Sequence, residues 1–266
     1  MNVFQAIILG IVQGVTEFLP VSSSAHLTII PEVLKLENTS IDFDVFLHFA
    51  TLMAVIIYFR KDIVKIYQGV FSKDKTERKT QQLLVKNLAI ATLVLIPFLL
   101  FFNNLIEYSQ SNSLITIVLL ILFGIPLLFI EQKFANNSRN YLALDTKSSL
   151  LIGFAQAIAL FSGVSRSGIT IMTGLTRGLT KEAAKKFAFL LSIPTISAGF
   201  LLELLKIANN YQFQESFLVI FAGSLAAFIS GSFAIKILMD FLKHKSLAVF
   251  GYYRIILGII LLIILL

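Results

Sequence analysis

Glu17-Phe18-Leu19-Pro20-Val21-Ser22-Ser23-Ser24-Ala25-His26 interrupts an otherwise apolar stretch that runs from 3 to 35. Neither flank is long enough to cross a bilayer, which takes about 20 mostly apolar residues in a helix. A second stretch, about 149–177, is broken by Phe161-Ser162-Gly163-Val164-Ser165-Arg166-Ser167-Gly168. Irregular backbone at membrane depth survives only where it is buried in protein or lines a wet cavity. Both stretches are therefore read as re-entrant helical hairpins with their tips inside the molecule. A signal-peptide reading fits the first poorly. It has no basic leading segment, and Glu17 falls where the apolar run should continue.

Outward from the two breaks lie six unbroken apolar runs, roughly 43–59, 84–102, 114–130, 187–205, 216–239 and 247–265, each long enough to span. Hydrophobic residues make up 57% and charged residues 14%, with mean hydropathy +0.86. A soluble domain carries about 25% charge, so this chain has too little polar surface for water. A disordered chain and an ordinary cytosolic enzyme are excluded, and the absence of cysteine excludes a disulfide scaffold. The runs do not alternate as the strands of a membrane barrel do. The fold class is an all-α polytopic membrane protein, one domain over 1–266, with six transmembrane helices and two re-entrant hairpins.

The two halves resemble each other. A shift of 143 residues sets Gly10 on Gly153, Gln13 on Gln156 and Phe18 on Phe161. The same shift sets Ser22 on Ser165, Ser24 on Ser167 and Phe46-Leu47 on Phe189-Leu190. The unit is one hairpin plus three crossings, repeat 1 at about 1–131 and repeat 2 at about 145–266. Three crossings end on the opposite side, so the second copy is inverted, an architecture that places its site near the midplane. Of the 22 Lys and Arg, 17 then fall in loops on one face, from Arg60–Lys86, Lys133–Lys147, Arg177–Lys186 and Lys243–Lys245. This positive-inside bias makes that face cytoplasmic and puts both termini outside. The net charge of +7 is thus topology, and no nucleic-acid partner is expected.

Ionisable groups at membrane depth are costly and are functional candidates by default. Glu17, His26 and Arg166 stand at the breaks, while His48 lies inside a full span and reads first as structural. If the tips meet, a carboxylate, an imidazole, several hydroxyls and a guanidinium share one volume. That set suits phosphate chemistry. Arginine forks onto phosphate oxygens, and helix starts add N–H donors. A serine or histidine attacks phosphorus if a base takes its proton. A carboxylate serves as that base or holds a divalent cation. A lipid-phosphate transporter on the same scaffold is the rival reading, though it needs no nucleophile.

Gln13-Gly14-Val15-Thr16-Glu17 running into Pro20-Val21-Ser22-Ser23 and His26 resembles the first signature of the bacterial undecaprenyl-diphosphatase (bacitracin-resistance) family. Gly163-Val164-Ser165-Arg166-Ser167-Gly168-Ile169-Thr170 resembles its second, and the likeness continues through Lys186–Pro194 and Tyr252-Tyr253-Arg254. The resemblance implies hydrolysis of undecaprenyl diphosphate to undecaprenyl phosphate and inorganic phosphate. It thereby implies recycling of the lipid carrier for peptidoglycan and the envelope, with bacitracin resistance. It implies a multi-pass protein of the bacterial plasma membrane, among lipids, with its site opening outward. A divalent cation, Mg²⁺ or Ca²⁺, is implied at Glu17. Carried over, Glu17 is the essential acid, Ser23 and His26 the nucleophile candidates and Arg166 the diphosphate clamp. Gln13, Ser22, Ser165, Ser167 and Thr170 become supporting substrate contacts. Two departures stand out: Gln13 where the family often has Glu, leaving Glu17 largely alone on the cation, and Ser162 where it has Pro. Oligomeric state is left open, a homodimer included.

Overall fold

The computed structural model describes residues 1–36, 39–210 and 213–265. Among these, twelve α-helices and no strands form the chain: α1 Val3–Phe18, α2 Ser23–Leu34, α3 Ile41–Tyr58, α4 Arg60–Val70, α5 Lys75–Leu93 and α6 Leu95–Ser111. The second half contains α7 Ser113–Lys133, α8 Thr146–Ile158, α9 Arg166–Thr176, α10 Lys181–Asn210, α11 Phe217–His244 and α12 Ala248–Leu265. Six elements are long and apolar enough to cross a membrane: α3, the continuous α5–α6 element, α7, α10, α11 and α12. The protein is an all-α, multi-pass membrane protein. Several spans run past the predicted edges, the α5–α6 element most of all.

Two details differ from the sequence reading. The loop expected at Arg60–Lys86 is mostly helix: α4 takes up Arg60–Val70, and Asp74 caps α5 by accepting the Thr76 and Glu77 N–H groups. The span expected at 84–102 lies within the continuous element Lys75–Ser111, whose hydrogen-bond ladder is interrupted at Val94. Pro97 has no N–H for the Leu93 carbonyl and its ring crowds that turn, so α5 ends there.

α1, α2, α8 and α9 have 16, 12, 13 and 11 residues. At 1.5 Å per residue the longest is about 24 Å, short of a hydrocarbon core of about 30 Å. The terminal amine of Met1 pairs with Glu215, whose N–H is held by Asp42 at the start of α3, directly beyond α2. At the far end the start of α8 meets the end of α9, Ser148 accepting from Arg177 Nε at 3.4 Å. Asp145 caps α8 there. The Ser148 N–H and the neighbouring Arg139 guanidinium hold its carboxyl down at about 2. The four basic segments gather at this end. Lys186 pairs with Asp62 at 2.5 Å, and Lys181 bonds Glu131 at 2.6 Å and the Lys245 carbonyl at 3.1 Å.

α1 packs along α11 through a seam of small residues, the usual device for close helix approach in a membrane. A Cβ on Gly14 would lie 2.4 Å from the Ala227 carbonyl oxygen and 2.6 Å from the Gly231 nitrogen. Backbone cannot yield cheaply, so Gly14→Ala is expected to cost about 1–3 kcal/mol. A melting midpoint in detergent lowered by several degrees checks this. Gly199→Ala, where a Cβ meets nothing within 4 Å, serves as the neutral control.

Candidate active site

Pro20 sets the first tip. The residue before a proline is driven out of the helical region, and Leu19 has φ −66° and ψ 143°, so α1 stops at Phe18. Ser22 then takes φ 69° and ψ 95° and caps α2 through the Ala25 N–H. At the second tip Gly163 has φ 96°, where a Cβ would stand 2.3 Å from the Thr116 carbonyl oxygen. Ser165 takes φ 73° and ψ 106° and caps α9 through the Gly168 N–H. Ser22 and Ser165, 143 residues apart, thus share one unusual conformation. Each hydroxyl also meets a serine two residues on, Ser24 at 3.1 Å and Ser167 at 3.3 Å. Serine at such φ costs of order 1–3 kcal/mol, a strain that local bonds must offset. The caps leave the N–H groups of Ser23, Ser24, Arg166 and Ser167 without partners among the described residues.

The tips touch. Ser167 Oγ donates to the Leu19 carbonyl at 3.0 Å. Arg254, fully buried in α12, donates to the carbonyls of Gly163 at 2.5 Å, Val164 at 3.0 Å, Pro20 at 3.4 Å and Leu120 at 3.0 Å. One guanidinium thus satisfies the peptide oxygens freed where two helices break, and ties both tips to α7.

Where the tips meet, Glu17 Oε1 accepts from Arg166 Nη2 at 2.8 Å. Glu17 Oε2 accepts from Ser23 Oγ at 2.7 Å and Gln13 Nε2 at 3.0 Å. Gln13 Nε2 also lies 3.0 Å from His48 Nδ1, which is 3.4 Å from Glu17 Oε2. Arg166 Nη1 and Gln13 Oε1 are buried with no partner. The His48 side chain is 39% exposed against 5% for Glu17, so its free edge faces open space.

That space is a cavity of about 340 Å³ with Glu17, Ser22, Ser23, Ser165, Arg166 and His48 on its walls. A second cavity, of about 660 Å³, shares Ser24, His48 and Gln110 with the first and reaches Glu32, Thr39 and Ser113. The site therefore opens toward the end remote from the basic segments.

Some expected residues are elsewhere. His26 lines a separate apolar cavity with Tyr253. Its Nδ1 faces the Ser22 carbonyl at 2.8 Å and its Nε2 faces Tyr253 Oη at 2.7 Å. A carbonyl only accepts, so Nδ1 carries the proton and the Nε2 lone pair receives the tyrosine hydroxyl. Ser167 is spent on the Leu19 carbonyl, and Thr170 donates back to the Arg166 carbonyl at 2.8 Å. Neither lines the cavity. Ser162 lies in the outer vestibule, its hydroxyl buried and unpartnered. Sequence reasoning missed Arg254 and Tyr253 as site-building residues and undervalued His48. An arginine inside an 18-residue apolar helix was the available signal.

Residues 6–260 match the family model described as bacitracin resistance protein BacA. Relatives include undecaprenyl-diphosphatases of Caldicellulosiruptor bescii, 40% identical over 98% of this chain and 97% of the relative, and of Methanobrevibacter smithii, 39% identical over 98% and 96%. That of Chlorobaculum tepidum is 39% identical over 97% and 95%.

Proposed function

The chain belongs to the bacitracin resistance protein BacA family, and from that premise we propose that it is an enzyme hydrolysing undecaprenyl diphosphate to undecaprenyl phosphate and inorganic phosphate. The product is the lipid carrier returned to peptidoglycan and envelope synthesis. The observation that carries the chemistry is a serine hydroxyl 2.7 Å from a buried carboxylate whose other oxygen holds an arginine, on the wall of a cavity. A lipid carrier would use the arginine but has no need of the serine–carboxylate pair.

The mechanism follows from these positions. Ser23 Oγ attacks the terminal phosphorus while its proton passes to Glu17 Oε2. The bond from phosphorus to the bridging oxygen breaks, and undecaprenyl phosphate leaves with that electron pair. Glu17 gives that proton to the departing lipid phosphate. Water then attacks the phosphoserine while Glu17 takes a proton from it, the bond from phosphorus to Ser23 Oγ breaks, and that oxygen regains a proton from Glu17, leaving inorganic phosphate and the free hydroxyl. The transition state spreads charge over the equatorial oxygens. Arg166, with its unpartnered Nη1, and the free N–H groups at the two helix starts are arranged to meet that charge. Gln13 and His48 hold Glu17 in place from the side away from Arg166.

The family implies a divalent cation, and the donor set fits one held largely by the substrate. A carboxylate has about four acceptor positions, and Glu17 uses three, on Arg166, Ser23 and Gln13. No group of three or more His, Cys, Asp or Glu among the described residues forms an ion cage. One carboxylate plus phosphate oxygens and water is an arrangement Mg²⁺ accepts readily. Bound, the ion supplies charge neutralisation on the diphosphate.

The chain lies in the plasma membrane with its basic end cytoplasmic, so the termini and the site mouth face outward. The two broken pairs are re-entrant hairpins of an inverted repeat, 1–131 and 145–266, and the matched angles of Ser22 and Ser165 support this.

Phosphate release from a C15 or C55 prenyl diphosphate by detergent-purified protein tests the reading. Chelation with EDTA should stop release and Mg²⁺ restore it. Arg166→Ala should lower kcat/KM by about 10²–10³-fold, as loss of one electrostatic donor does. Near-normal turnover in a folded Arg166→Ala protein would remove Arg166 from the site. A folded, inactive wild type that moves lipid phosphate across vesicles would make the protein a carrier.

A further inference from the structure

α4 follows α3 directly and packs against α5. Its last turn is fixed there twice. Gln82 Nε2 donates to the Val70 carbonyl at 3.3 Å, and Gly69 lies so close to Gln81 that a Cβ would stand 2.4 Å from its Cγ. The end of α4 is therefore level with Gln81 and Gln82, where α5 passes from its charged start, Lys75–Gln82, to the apolar run beginning at Leu83. In a bilayer that passage marks the headgroup layer.

α4 has two apolar stripes. Ile63 and Ile66 face inward and pack on the main core. Val64, Tyr67 and Phe71, spaced i, i+3 and i+7, face outward. Tyr67 and Phe71 are 69% and 70% exposed and meet edge to face at 5.4 Å, so nothing else in the chain covers them. Lys61 and Lys65 flank the outward stripe on the same helix, and Lys73, Lys75 and Lys79 follow beyond it. All five are exposed, and none forms an ion pair among the described residues. The neighbouring acids are spent inside the chain: Asp62 on Lys186, Asp74 on the α5 cap and Glu77 on the Ser72 hydroxyl. A positive-inside bias accounts for lysines at this end, but not for an aromatic stripe set among them.

We propose that this face of α4 is a docking surface for anionic phospholipid in the leaflet at the basic end of the protein. Val64, Tyr67 and Phe71 enter the boundary between headgroups and acyl chains, and the unpaired lysines reach the lipid phosphates beside them. The level of the stripe favours lipid over a soluble protein, and its charge selects the anionic kind. The inference stands apart from the hydrolase reading.

The chain has no cysteine, so Gln68→Cys, exposed on α4 and outside the stripe, takes a single fluorescent label. The full-length protein is placed in phosphatidylcholine nanodiscs doped with doxyl-labelled phosphatidylglycerol or, at equal mole fraction, doxyl-labelled phosphatidylcholine. Quenching by the anionic lipid should exceed that by the zwitterionic one at least about twofold. The excess should fall by at least about half as NaCl rises from about 0.1 M to about 1 M, which shortens the screening length to about 3 Å. Lys61→Glu with Lys65→Glu should remove the excess and leave quenching by phosphatidylcholine. Equal quenching by the two lipids, or an excess that survives either high salt or the double reversal in folded protein, would overturn the proposal. A label quenched by aqueous iodide and by neither lipid would put the face in water, overturn the lipid reading and leave the stripe to a soluble protein. The salt titration keeps the native lysines, so the test stands even where the double variant fails to fold.

Discussion

Ser23→Ala is expected to lower prenyl-diphosphate hydrolysis by about 10⁴-fold or more, the scale of losing a covalent nucleophile. His26→Asn is expected to keep at least about a tenth of wild-type turnover, a loss on the scale of one neutral hydrogen bond. The sequence leaves these two residues as equal candidates, and hydrogen-bond bookkeeping separates them. Ser23 has its proton on Glu17 and its oxygen on the cavity wall. His26 spends Nδ1–H on the Ser22 carbonyl and its lone pair on Tyr253, inside a different cavity. A neutral imidazole bonded at both nitrogens has no electron pair left for phosphorus. Its work is to hold the first tip, and an asparagine amide placed where Nδ1 stands can do much of that. Steady-state phosphate release with both purified variants gives the comparison. A dead His26→Asn beside an active Ser23→Ala would make histidine the nucleophile. Trapping phosphate on serine in wild type, absent from Ser23→Ala, would locate the covalent step directly.

How far the sequence reached follows from the range of each interaction. The breaks were legible because proline, serine and glycine act on their own backbone. Leu19 adopts the extended angles that Pro20 imposes, Gly163 the positive φ that glycine permits, and Ser22 caps the helix that follows. The six spans were legible because hydropathy is a local sum. The 143-residue shift anticipated that Ser22 and Ser165 would occupy equivalent positions, and their angles agree within about 11°. The role of His48 was not legible, because its meeting with Gln13 depends on how α3 lies against α1, 35 residues away in sequence. The segment Arg60–Lys86, expected as a loop, was misread for a different reason. Its charge count argued for a solvated loop, but a solvated helix with a good cap has the same composition. Arg254 could have been found by asking where the peptide groups of a broken helix go in a place with no water.

Arg254→Leu is accordingly expected to destabilise the protein by at least about 3–5 kcal/mol, the cost of removing one member of a buried charged network. Measured by thermal denaturation and size-exclusion chromatography in detergent, it should give a large drop in midpoint or no monodisperse protein. The reason is the number of orphans. Leucine fills much of the volume but leaves the carbonyls of Pro20, Leu120, Gly163 and Val164 buried and unpaired, and each such group costs about 1–3 kcal/mol before relaxation. Arg254→Lys should recover part of the stability but little of the activity, because a point ammonium cannot fork between two tips. The two buried arginines therefore have opposite signatures. Arg166 has a donor to spare and one carboxylate partner, so its loss should cut kcat/KM by about 10²–10³-fold and cost the fold far less. Arg254 has hydrogen bonds to four carbonyls in three segments, so its loss should remove the fold, and the site with it. A wild-type midpoint for Arg254→Leu would mean that helix packing, the Ser167–Leu19 hydrogen bond and the Arg166–Glu17 pair suffice to hold the tips together.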